Sequence, residues 1–478
     1  MNIALAAPPQ VETQKNDLQR IFDLQKKNQF NLGNTTAADR IAKLKKLHAA
    51  VLKYRPQIKE ALYKDYRKHP SEVDLTEVYP VTSEIKDAKK NIRRWMYGGR
   101  VKTPLAMMGS SSRVKYEPKG VALIISPWNF PINLTFGPLV SAIAAGNAVM
   151  IKPSEMTPNA SALMKKMIAE IFNENEVAVT EGGVSTSTEL LKLPFNHIFF
   201  TGSPSIGKIV MRAAAENLTS VTLELGGKSP TIVDETANVN LAAKRIAWGK
   251  YVNNGQVCIA PDYLFVHESK KEAFVEAFKK QMKNFYGDDP TQESSYARIV
   301  NQRHFNRIKG YVDDAISKGA TVEAGGSFDE NQDYISPTLM TNVSENSELM
   351  TEEIFGPVLP IFPYKNIESV LEKINAKEKP LALYIYSKNN KNIKHIIANT
   401  RAGGTCINHN AAHFFNMNLP FGGSNNSGIG KAHGKDGFES FSNARGVFNQ
   451  HIPNALDLLT PPYDNFKQRL IDLTIKWF

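Results

Sequence analysis

Short apolar runs that alternate with helix-forming stretches are the feature that most restricts the fold of this chain. From residue 121 onward the runs are VALIISPW, AVMIKPS, EVAVTEG, HIFFTGS and VTLELGG. Four of them are strongly apolar, which is typical of strands covered on both faces. Because helix-forming stretches lie between them, the pattern predicts a doubly wound α/β sheet.

The same alternation resumes after Pro230. Its runs are PTIVD, YLFVHES, TVEAGG, VLPIFPY and LALYIYS, which are enough for a second α/β domain. A chain of 478 residues exceeds the size of one ordinary core, so two or three domains are expected. The chain shows no internal repeat and no low-complexity linker, and we therefore expect the domains to pack together.

Three segments lie outside this alternation. Residues 11–96 are expected to be helical, whereas residues 98–120 contain two short extended runs around a Gly-Ser turn and predict a projecting hairpin-like arm for subunit contact. The tail FKQRLIDLTIKWF (466–478) is amphipathic. We expect it to dock on this protein or on a second subunit, and the alternative is peripheral membrane contact.

Composition and charge exclude several classes of protein. The 42% apolar and 22% charged residues are those of a soluble globular protein. The net charge of +11 is scattered rather than gathered in a stripe, so we expect no nucleic-acid binding. No stretch approaches the ~18 apolar residues of a membrane span. The first ten residues lack an export signal, and only two cysteines occur, so a cytoplasmic location is expected.

Two motifs end strands in a way that suits a dinucleotide. In FFTGSPSIGK (199–208), Gly202 and Gly207 would let the backbone approach a pyrophosphate at a helix start. An ordinary strand-to-helix turn would carry the same residues. In IKPSE (151–155), Lys152 and Glu155 are placed to bond the hydroxyls of an adenosine ribose, although an exposed helix start explains the same residues.

Two further motifs suit acyl chemistry. Prolines hold the chain on both sides of Asn129 in SPWNFP, and a fixed carboxamide N–H is what an oxyanion hole needs. Glu224 ends an apolar strand in LELGGKSP, where burial would raise its pKa toward that of a general base. A turn asparagine and a structural ion pair are the alternative interpretations.

Cys258 follows a polar stretch in NNGQVCIAPDY, a pattern that predicts the start of a helix stopped at Pro261. A helix N-terminus would lower the pKa of the thiol and favour the nucleophilic thiolate. The second cysteine lies in CINHNAAH (406–413), where one thiol and two imidazoles have a spacing that a metal site can use. No fourth ligand lies nearby in sequence, so no metal is expected.

Seven stretches, taken together and in order, resemble the aldehyde dehydrogenase superfamily. They are SPWNFP, IKPSE, FFTGSPSIGK, LELGGKSP, GQVCIAPDY, EEIFGPVLP and LPFGGSNNSGIG. The resemblance extends over residues 40–462, and CIAPDY together with the short N-terminus is most similar to the class 3 branch of fatty and aromatic aldehyde dehydrogenases. It implies two doubly wound α/β domains, one cofactor-binding and one catalytic, with a small β arm for oligomerisation.

The resemblance implies NAD(P)-dependent oxidation of a small-molecule aldehyde to a carboxylic acid. Cys258 would attack the carbonyl to form a thiohemiacetal, while Asn129 and the Cys258 backbone N–H would hold the oxyanion. After hydride transfer leaves a thioester, Glu224 would activate the water that hydrolyses it. Acylating aldehyde dehydrogenases and acyl reductases are the enzymatic alternative, and their relatives typically lack this glutamate. A non-catalytic relative would be expected to have lost one of these three residues.

The resemblance also implies the residues that contact the ligands. The cofactor-binding residues would be Trp128, Lys152, Glu155, Gly202, Ser203, Ile206, Gly207, Leu225, Glu353 and Phe355. Asn408 and His413 would lie near the substrate mouth. The charge of Glu155 should repel the 2′-phosphate of NADP while Lys152 attracts it, so NAD is expected to be preferred and NADP to be usable.

The resemblance assigns the domains by residue range. Residues 1–98 and 119–226 would form the NAD(P)-binding domain, and residues 227–435 the catalytic domain. Residues 99–118 and 436–455 would form the oligomerisation arm, followed by the tail 456–478. As in the branch it resembles, the chain is expected to form a homodimer.

Overall fold

The computed structural model describes residues 12–452 and 455–477. The first ten residues, for which no export signal is expected, lie outside the described residues. The strands are β1 (Gly99–Val101), β2 (Ser110–Pro118), β3 (Val121–Ile125), β4 (Ala148–Lys152), β5 (Val177–Val179), β6 (His197–Gly202), β7 (Ser220–Leu225), β8 (Pro230–Val233), β9 (Tyr263–His267), β10 (Thr321–Ala324), β11 (Phe328–Asp329), β12 (Tyr334–Ile335), β13 (Thr338–Thr341), β14 (Val358–Tyr364), β15 (Ala382–Tyr386), β16 (Gly404–Ile407), β17 (Gly428–Ile429) and β18 (Ser442–Gln450).

Helices connect most of these strands, as parallel pairing requires. They are α1 (Lys15–Gly33), α2 (Ala37–Lys53), α3 (Arg55–Tyr66), α4 (Pro70–Val73), α5 (Tyr79–Tyr97), α6 (Asn133–Ala145), α7 (Pro158–Ile171), α8 (Val184–Leu191), α9 (Pro204–Ala215), α10 (Val239–Tyr251), α11 (Lys271–Tyr286), α12 (Gln302–Ser317), α13 (Glu348–Thr351), α14 (Ile367–Asn375), α15 (Asn390–Ala398), α16 (Gly434–Ser440) and α17 (Asn465–Trp477). One π-helical turn, Asp74–Val78, joins α4 to α5.

The first sheet has the strand order β17-β7-β6-β3-β4-β5 and is parallel except for β17. Strand β3 is buried along its whole length. Ala122 and Ile124 pack into one hydrophobic cluster, and Val121 and Leu123 pack into another on the opposite face. Alternate side chains point to opposite faces of a strand, so helices cover both faces of this sheet. The predicted doubly wound sheet is confirmed.

The second sheet has the strand order β10-β13-β14-β9-β8-β15-β16 and is parallel except for β10. Its two faces also carry separate hydrophobic clusters, with Leu264 and Val266 of β9 in one and Tyr263 and Phe265 in the other. The expected second α/β unit is therefore confirmed. Strands β13 and β16 were not among the runs picked out from the sequence.

A separate three-stranded antiparallel sheet, with order β1-β2-β18, forms the arm. The expected pairing of two extended runs within residues 98–120 is confirmed by β1 and β2. The third strand, β18, lies mostly within residues 444–452. Strand β18 pairs with β2 over nine residues, and most of its side chains are exposed.

The chain passes twice between the first and the second sheet. Strand β7 of the first sheet is followed within five residues by β8 of the second, so the carboxyl end of one sheet faces the amino end of the other. Later, β17 returns from the range 227–435 to the edge of the first sheet, where Gly428 pairs with Glu224. The domain boundaries drawn from the resemblance remain predictions.

The C-terminal helix α17 lies on the surface and has no fully buried residue. Phe466, Leu473 and Trp477 expose more than half of their side chains. Across the described ranges, every helix is too short or too polar to span a bilayer.

Candidate active site

One cavity of about 990 Å³ opens where the two sheets meet. It lies at the carboxyl ends of β3, β6 and β7 and at the amino ends of β8, β9, β14 and β15. Nine of the residues selected from the sequence line this cavity: Trp128, Asn129, Gly202, Ser203, Glu224, Leu225, Cys258, Glu353 and Phe355.

Cys258 lies in a turn between α10 and β9, and the expected helix start at this position is wrong. Helix α10 ends instead, because Asn253, Asn254 and Gly255 adopt positive φ angles of 53°, 56° and 72°. Asparagine and glycine tolerate this conformation best. The backbone reversal leaves the thiol facing the cavity rather than a helix axis.

The expected lowering of the thiol pKa is also wrong. Burial and, to a smaller extent, the nearby carboxylates of Glu353 and Glu224 together raise the pKa of Cys258 to about 12. The backbone N–H groups of Cys258 and Ile259 oppose this rise and stabilise the thiolate. The turn therefore supplies the anion-stabilising N–H groups that a helix start was expected to provide.

Asn129 is buried in the loop between β3 and α6, beside the cysteine turn. Its carboxamide Nδ2 donates a hydrogen bond to the backbone oxygen of Gln256, at 3.0 Å, two residues before Cys258. A carboxamide carries two N–H groups, so one bond fixes the side chain and leaves the second N–H for an anion in the cavity.

Glu224 ends β7 with only 7% of its surface exposed. Burial raises the pKa of its carboxyl group to about 8, and the opposing effect of Lys431 is smaller. Within residues 12–452 and 455–477, neither carboxylate oxygen has a hydrogen-bond partner. The raised pKa expected from the sequence is confirmed, and a carboxylate without an ion-pair partner is available for proton transfer.

Glu353 and Phe355 follow the short helix α13 on another side of the cavity. Burial raises the pKa of Glu353 to about 8, with a further contribution from Asp262. A side chain at position 226 would collide with the Glu353 carboxylate, so Gly226 is required for this approach. The Phe355 ring packs edge-on against Trp128, with 5.4 Å between the ring centroids.

The glycine turn after β6 fits a dinucleotide phosphate. Ser203 caps α9, and the first turn of that helix opens toward the cavity with its N–H groups. A Cβ at Gly207 would lie 2.7 Å from a methyl group of Leu225, so glycine permits the helix to pack against the end of β7. Ile206 is half exposed and lies beside the cavity lining rather than in it.

Lys152 and Glu155 lie beyond the cavity, at the end of β4. The Lys152 ammonium group is buried and donates to Glu155 Oε2 and to the Gly182 carbonyl, both at 2.9 Å. Glu155 keeps a quarter of its side chain exposed. The pair therefore presents a carboxylate to solvent with a fixed cation directly behind it.

The structure does not bring Asn408 and His413 to the cavity. The Asn408 carboxamide bonds the backbone of Ser387 twice, at 2.8 and 2.9 Å, and joins the ends of β15 and β16. His413 packs behind Phe421, which does line the cavity, and its Nδ1 is 3.1 Å from the Cys406 sulfur. In the described part of the chain no group of three or more metal-binding side chains comes together.

Several cavity residues were missed from the sequence. Phe414, Phe421 and His433 form an aromatic cluster, with the Phe414 and Phe421 centroids 5.0 Å apart. Arg307 donates to the backbone oxygens of Glu353 and Ile354 at 3.2 and 3.0 Å. Phe421 lies within the motif LPFGGSNNSGIG, but the other residues carry no local motif, because long-range folding alone brings them to the cavity.

Comparison with known proteins agrees with this geometry. The fold matches the substrate-bound structure of Staphylococcus aureus AldH with a TM-score of 0.92 and 40% identity, covering 96% of this chain and 99% of that one. The chain is 46% identical over 438 residues to the putative aldehyde dehydrogenase AldX of Bacillus subtilis, covering 91% of this chain and 98% of the relative. It is 43% identical over 426 residues to the dimeric NADP-preferring aldehyde dehydrogenase of Rattus norvegicus, covering 89% and 93%.

The model of the aldehyde dehydrogenase family matches residues 9–447, and the chain belongs to this family. The protein is therefore an oxidoreductase that oxidises aldehydes with a nicotinamide cofactor.

The raised thiol pKa generates a prediction about reactivity. Because only the thiolate reacts readily, alkylation of Cys258 by iodoacetamide without cofactor should accelerate about tenfold per pH unit between about pH 7 and pH 10. Peptide mass spectrometry would follow Cys258 separately from Cys406, and a Cys406→Ala variant would serve as the control. A rate that reaches a plateau near neutral pH would contradict the raised pKa.

Proposed function

We propose that Cys258 is the nucleophile, that Asn129 and the Cys258 backbone N–H form the oxyanion hole, and that Glu224 is the general base. The observation that carries this proposal is the shared cavity, in which a thiol, a fixed carboxamide and an unpartnered carboxylate face the same space. A cavity of this kind with perturbed titratable groups is typical of an active site.

In the first step the Cys258 sulfur bonds the carbonyl carbon, and the π electron pair moves onto the oxygen. The thiol proton passes to solvent as this bond forms, and the backbone N–H groups of Cys258 and Ile259 stabilise the thiolate. The developing oxyanion accepts hydrogen bonds from the Asn129 carboxamide and the Cys258 N–H. Such prearranged donors contribute roughly 3–4 kcal/mol to transition-state stabilisation.

The nicotinamide cofactor, when bound, accepts the hydride that converts the thiohemiacetal into a thioester. We assign the Glu353 carboxylate to its ribose and the Phe355 and Trp128 rings to the side of the nicotinamide. Gly202 and Ser203 would face the pyrophosphate at the start of α9. The support is that these residues line the same cavity as Cys258, and that glycines leave space where side chains would block an approach.

Glu224 then acts as the general base for hydrolysis of the thioester. It removes a proton from water, the water oxygen attacks the thioester carbon, and the carbon–sulfur bond breaks to release the acid and the Cys258 thiolate. A carboxylate with a pKa of about 8 is a stronger base than an ordinary glutamate. The presence of this base favours hydrolysis of the thioester. Transfer of the acyl group to coenzyme A, the alternative reaction, would not need the base.

The substrate we propose is an apolar aldehyde, aliphatic or aromatic. Leu134, Phe414 and Phe421 give one side of the cavity an apolar wall. Apolar walls with few polar groups bind ligands mainly through removal of apolar surface from water. The two free cysteines suit a reducing compartment such as the cytoplasm.

Substitution of the base should separate the two chemical steps. Glu224→Gln should give one rapid burst of reduced cofactor, followed by turnover at least about a hundredfold slower than the parent, because the thioester is no longer hydrolysed efficiently. Stopped-flow absorbance would record the burst. Cys258→Ala should bind cofactor and show no burst at all. Unchanged steady-state turnover in Glu224→Gln would place the base elsewhere.

We propose that NAD is preferred and NADP is usable. The exposed Glu155 carboxylate would repel a 2′-phosphate, whereas the buried Lys152 ammonium directly behind it would attract one. Glu155→Gln removes the repulsion and keeps the cation, so the ratio of kcat/KM values should shift toward NADP by roughly five- to fiftyfold, about 1–2 kcal/mol. Steady-state kinetics with both cofactors would measure the shift. An unchanged ratio would remove Glu155 from the ribose site.

We propose that the arm forms the contact of a homodimer. Strand β18 leaves one edge open over nine residues, and Phe448 is half exposed on it. An exposed edge strand with apolar side chains is a surface for pairing with another chain. Light scattering at micromolar concentration should give twice the 53.2 kDa of one chain, and Phe448→Glu should weaken the dimer. A parent protein of single-chain mass would contradict the proposal.

A further inference from the structure

We propose that four residues near the N-terminal helices, Tyr66, Lys68, Glu72 and Glu77, act as a positioning platform that fixes Asn129 relative to Cys258. This inference rests on the proposed roles of Asn129 and Cys258. None of the four lines the cavity, so none contacts the reacting atoms. They lie between the end of α3 and the start of α5, outside both parallel sheets.

The π-helical turn between α4 and α5 aligns the two carboxylates of the platform. In this turn the Tyr79 N–H bonds to the Asp74 carbonyl, five residues back. Residues about five apart then share one side of the helix, whereas a regular α-helix would turn them away from each other. Glu72 and Glu77 are five apart, and both reach segments of the candidate active site.

Glu77 holds the segment that follows Asn129. It is fully buried, and its Oε2 accepts hydrogen bonds from the backbone N–H groups of Ile132 and Asn133 at 3.1 and 2.9 Å. These N–H groups lie at the start of α6, where a carboxylate is favoured by the helix dipole. The position of α6 and of the preceding SPWNFP segment is therefore tied to this carboxylate.

Tyr66 and Glu72 connect the segment that carries Asn129 to the turn that carries Cys258. The Tyr66 hydroxyl donates to the backbone oxygen of Asn129 at 3.0 Å. The Asn253 side chain donates to the same oxygen at 2.9 Å, and the Asn253 backbone N–H donates to Glu72 Oε1 at 2.9 Å. Asn253 belongs to the turn that presents Cys258. One carbonyl oxygen thus joins the oxyanion segment, the cysteine turn and the platform.

The positive charge of Lys68 offsets part of the free-energy cost of burying the carboxylates of Glu72 and Glu77. Its side chain is fully buried, lies 3.2 Å from Glu77 and stands over the Phe130 ring at 4.1 Å. Its charge also opposes the rise in the pKa of Glu72, which burial brings to about 7. Removal of one member of a buried charge pair leaves an uncompensated charge, so loss of Lys68 should destabilise the platform.

Misplacement of a reacting group by about 1 Å can slow an enzyme about a hundredfold. Tyr66→Phe removes one hydroxyl and keeps the packing of the ring. With both substrates saturating, it should lower kcat about tenfold and leave the KM for NAD within about twofold. In an Asn129→Ala background the same change should lower kcat by less than about twofold, because the group that it positions is already absent.

A matched pair of carboxylates separates positioning from stability. Asp65 caps α7 in the way that Glu77 caps α6, since it accepts from the backbone N–H groups of Asn159 and Ala160 at 3.1 and 3.0 Å. Within the described residues its side-chain hydrogen bonds reach only Asn159 and Ala160, and neither lines the cavity. Glu77→Gln should lower kcat about tenfold at saturating cofactor, and Asp65→Asn should lower thermal stability with kcat changed less than about twofold.

The outcomes are distinguishable. Equal losses from Tyr66→Phe in the parent and in the Asn129→Ala background would overturn the platform, as would an unchanged kcat in Tyr66→Phe or equal effects on kcat from Glu77→Gln and Asp65→Asn. A nearly normal kcat in Asn129→Ala itself would instead overturn the oxyanion role of Asn129 on which the platform rests.

Discussion

Removal of ionisable groups from water is the constraint on which this site depends. Cys258, Glu224 and Glu353 all lose hydration in one cavity, and burial is the largest cause of the raised pKa of each. Burial favours the neutral forms of the two carboxyl groups and of the thiol, so they share this space with less repulsion than three anions would suffer. The groups are therefore held ready to exchange protons, and a ligand that brings positive charge would shift them toward their charged forms.

The architecture creates this cavity from two sheets that meet end to end. The strands of the first sheet direct their carboxyl ends into the cavity, and those of the second direct their amino ends into it. Glu224 lies at the crossing, where the chain leaves β7 and enters β8 within a few residues. The fold thereby places a base, a nucleophile and a glycine-rich helix start on different chain segments that share one cavity.

Much of this organisation could be predicted from the sequence, because it depends on local periodicity. Buried parallel strands are apolar throughout, and the glycine turn and the Glu224 strand end follow directly from their motifs. The turn at Cys258 could not be predicted in this way, since positive φ angles at Asn253 and Asn254 replace the expected helix start. The hydrogen bond from Tyr66 to Asn129 spans 63 residues and is fixed only by tertiary packing.

The central claim is that Cys258 carries the acyl group and that Glu224 releases it. Intact-protein and peptide mass spectrometry of Glu224→Gln, quenched in acid after mixing with NAD and hexanal, tests this claim most directly. The account predicts that one acyl group replaces one hydrogen on the peptide that contains Cys258, and that Cys258→Ala remains unmodified. Reduced cofactor formed in a burst without any acyl group on Cys258 would contradict the account.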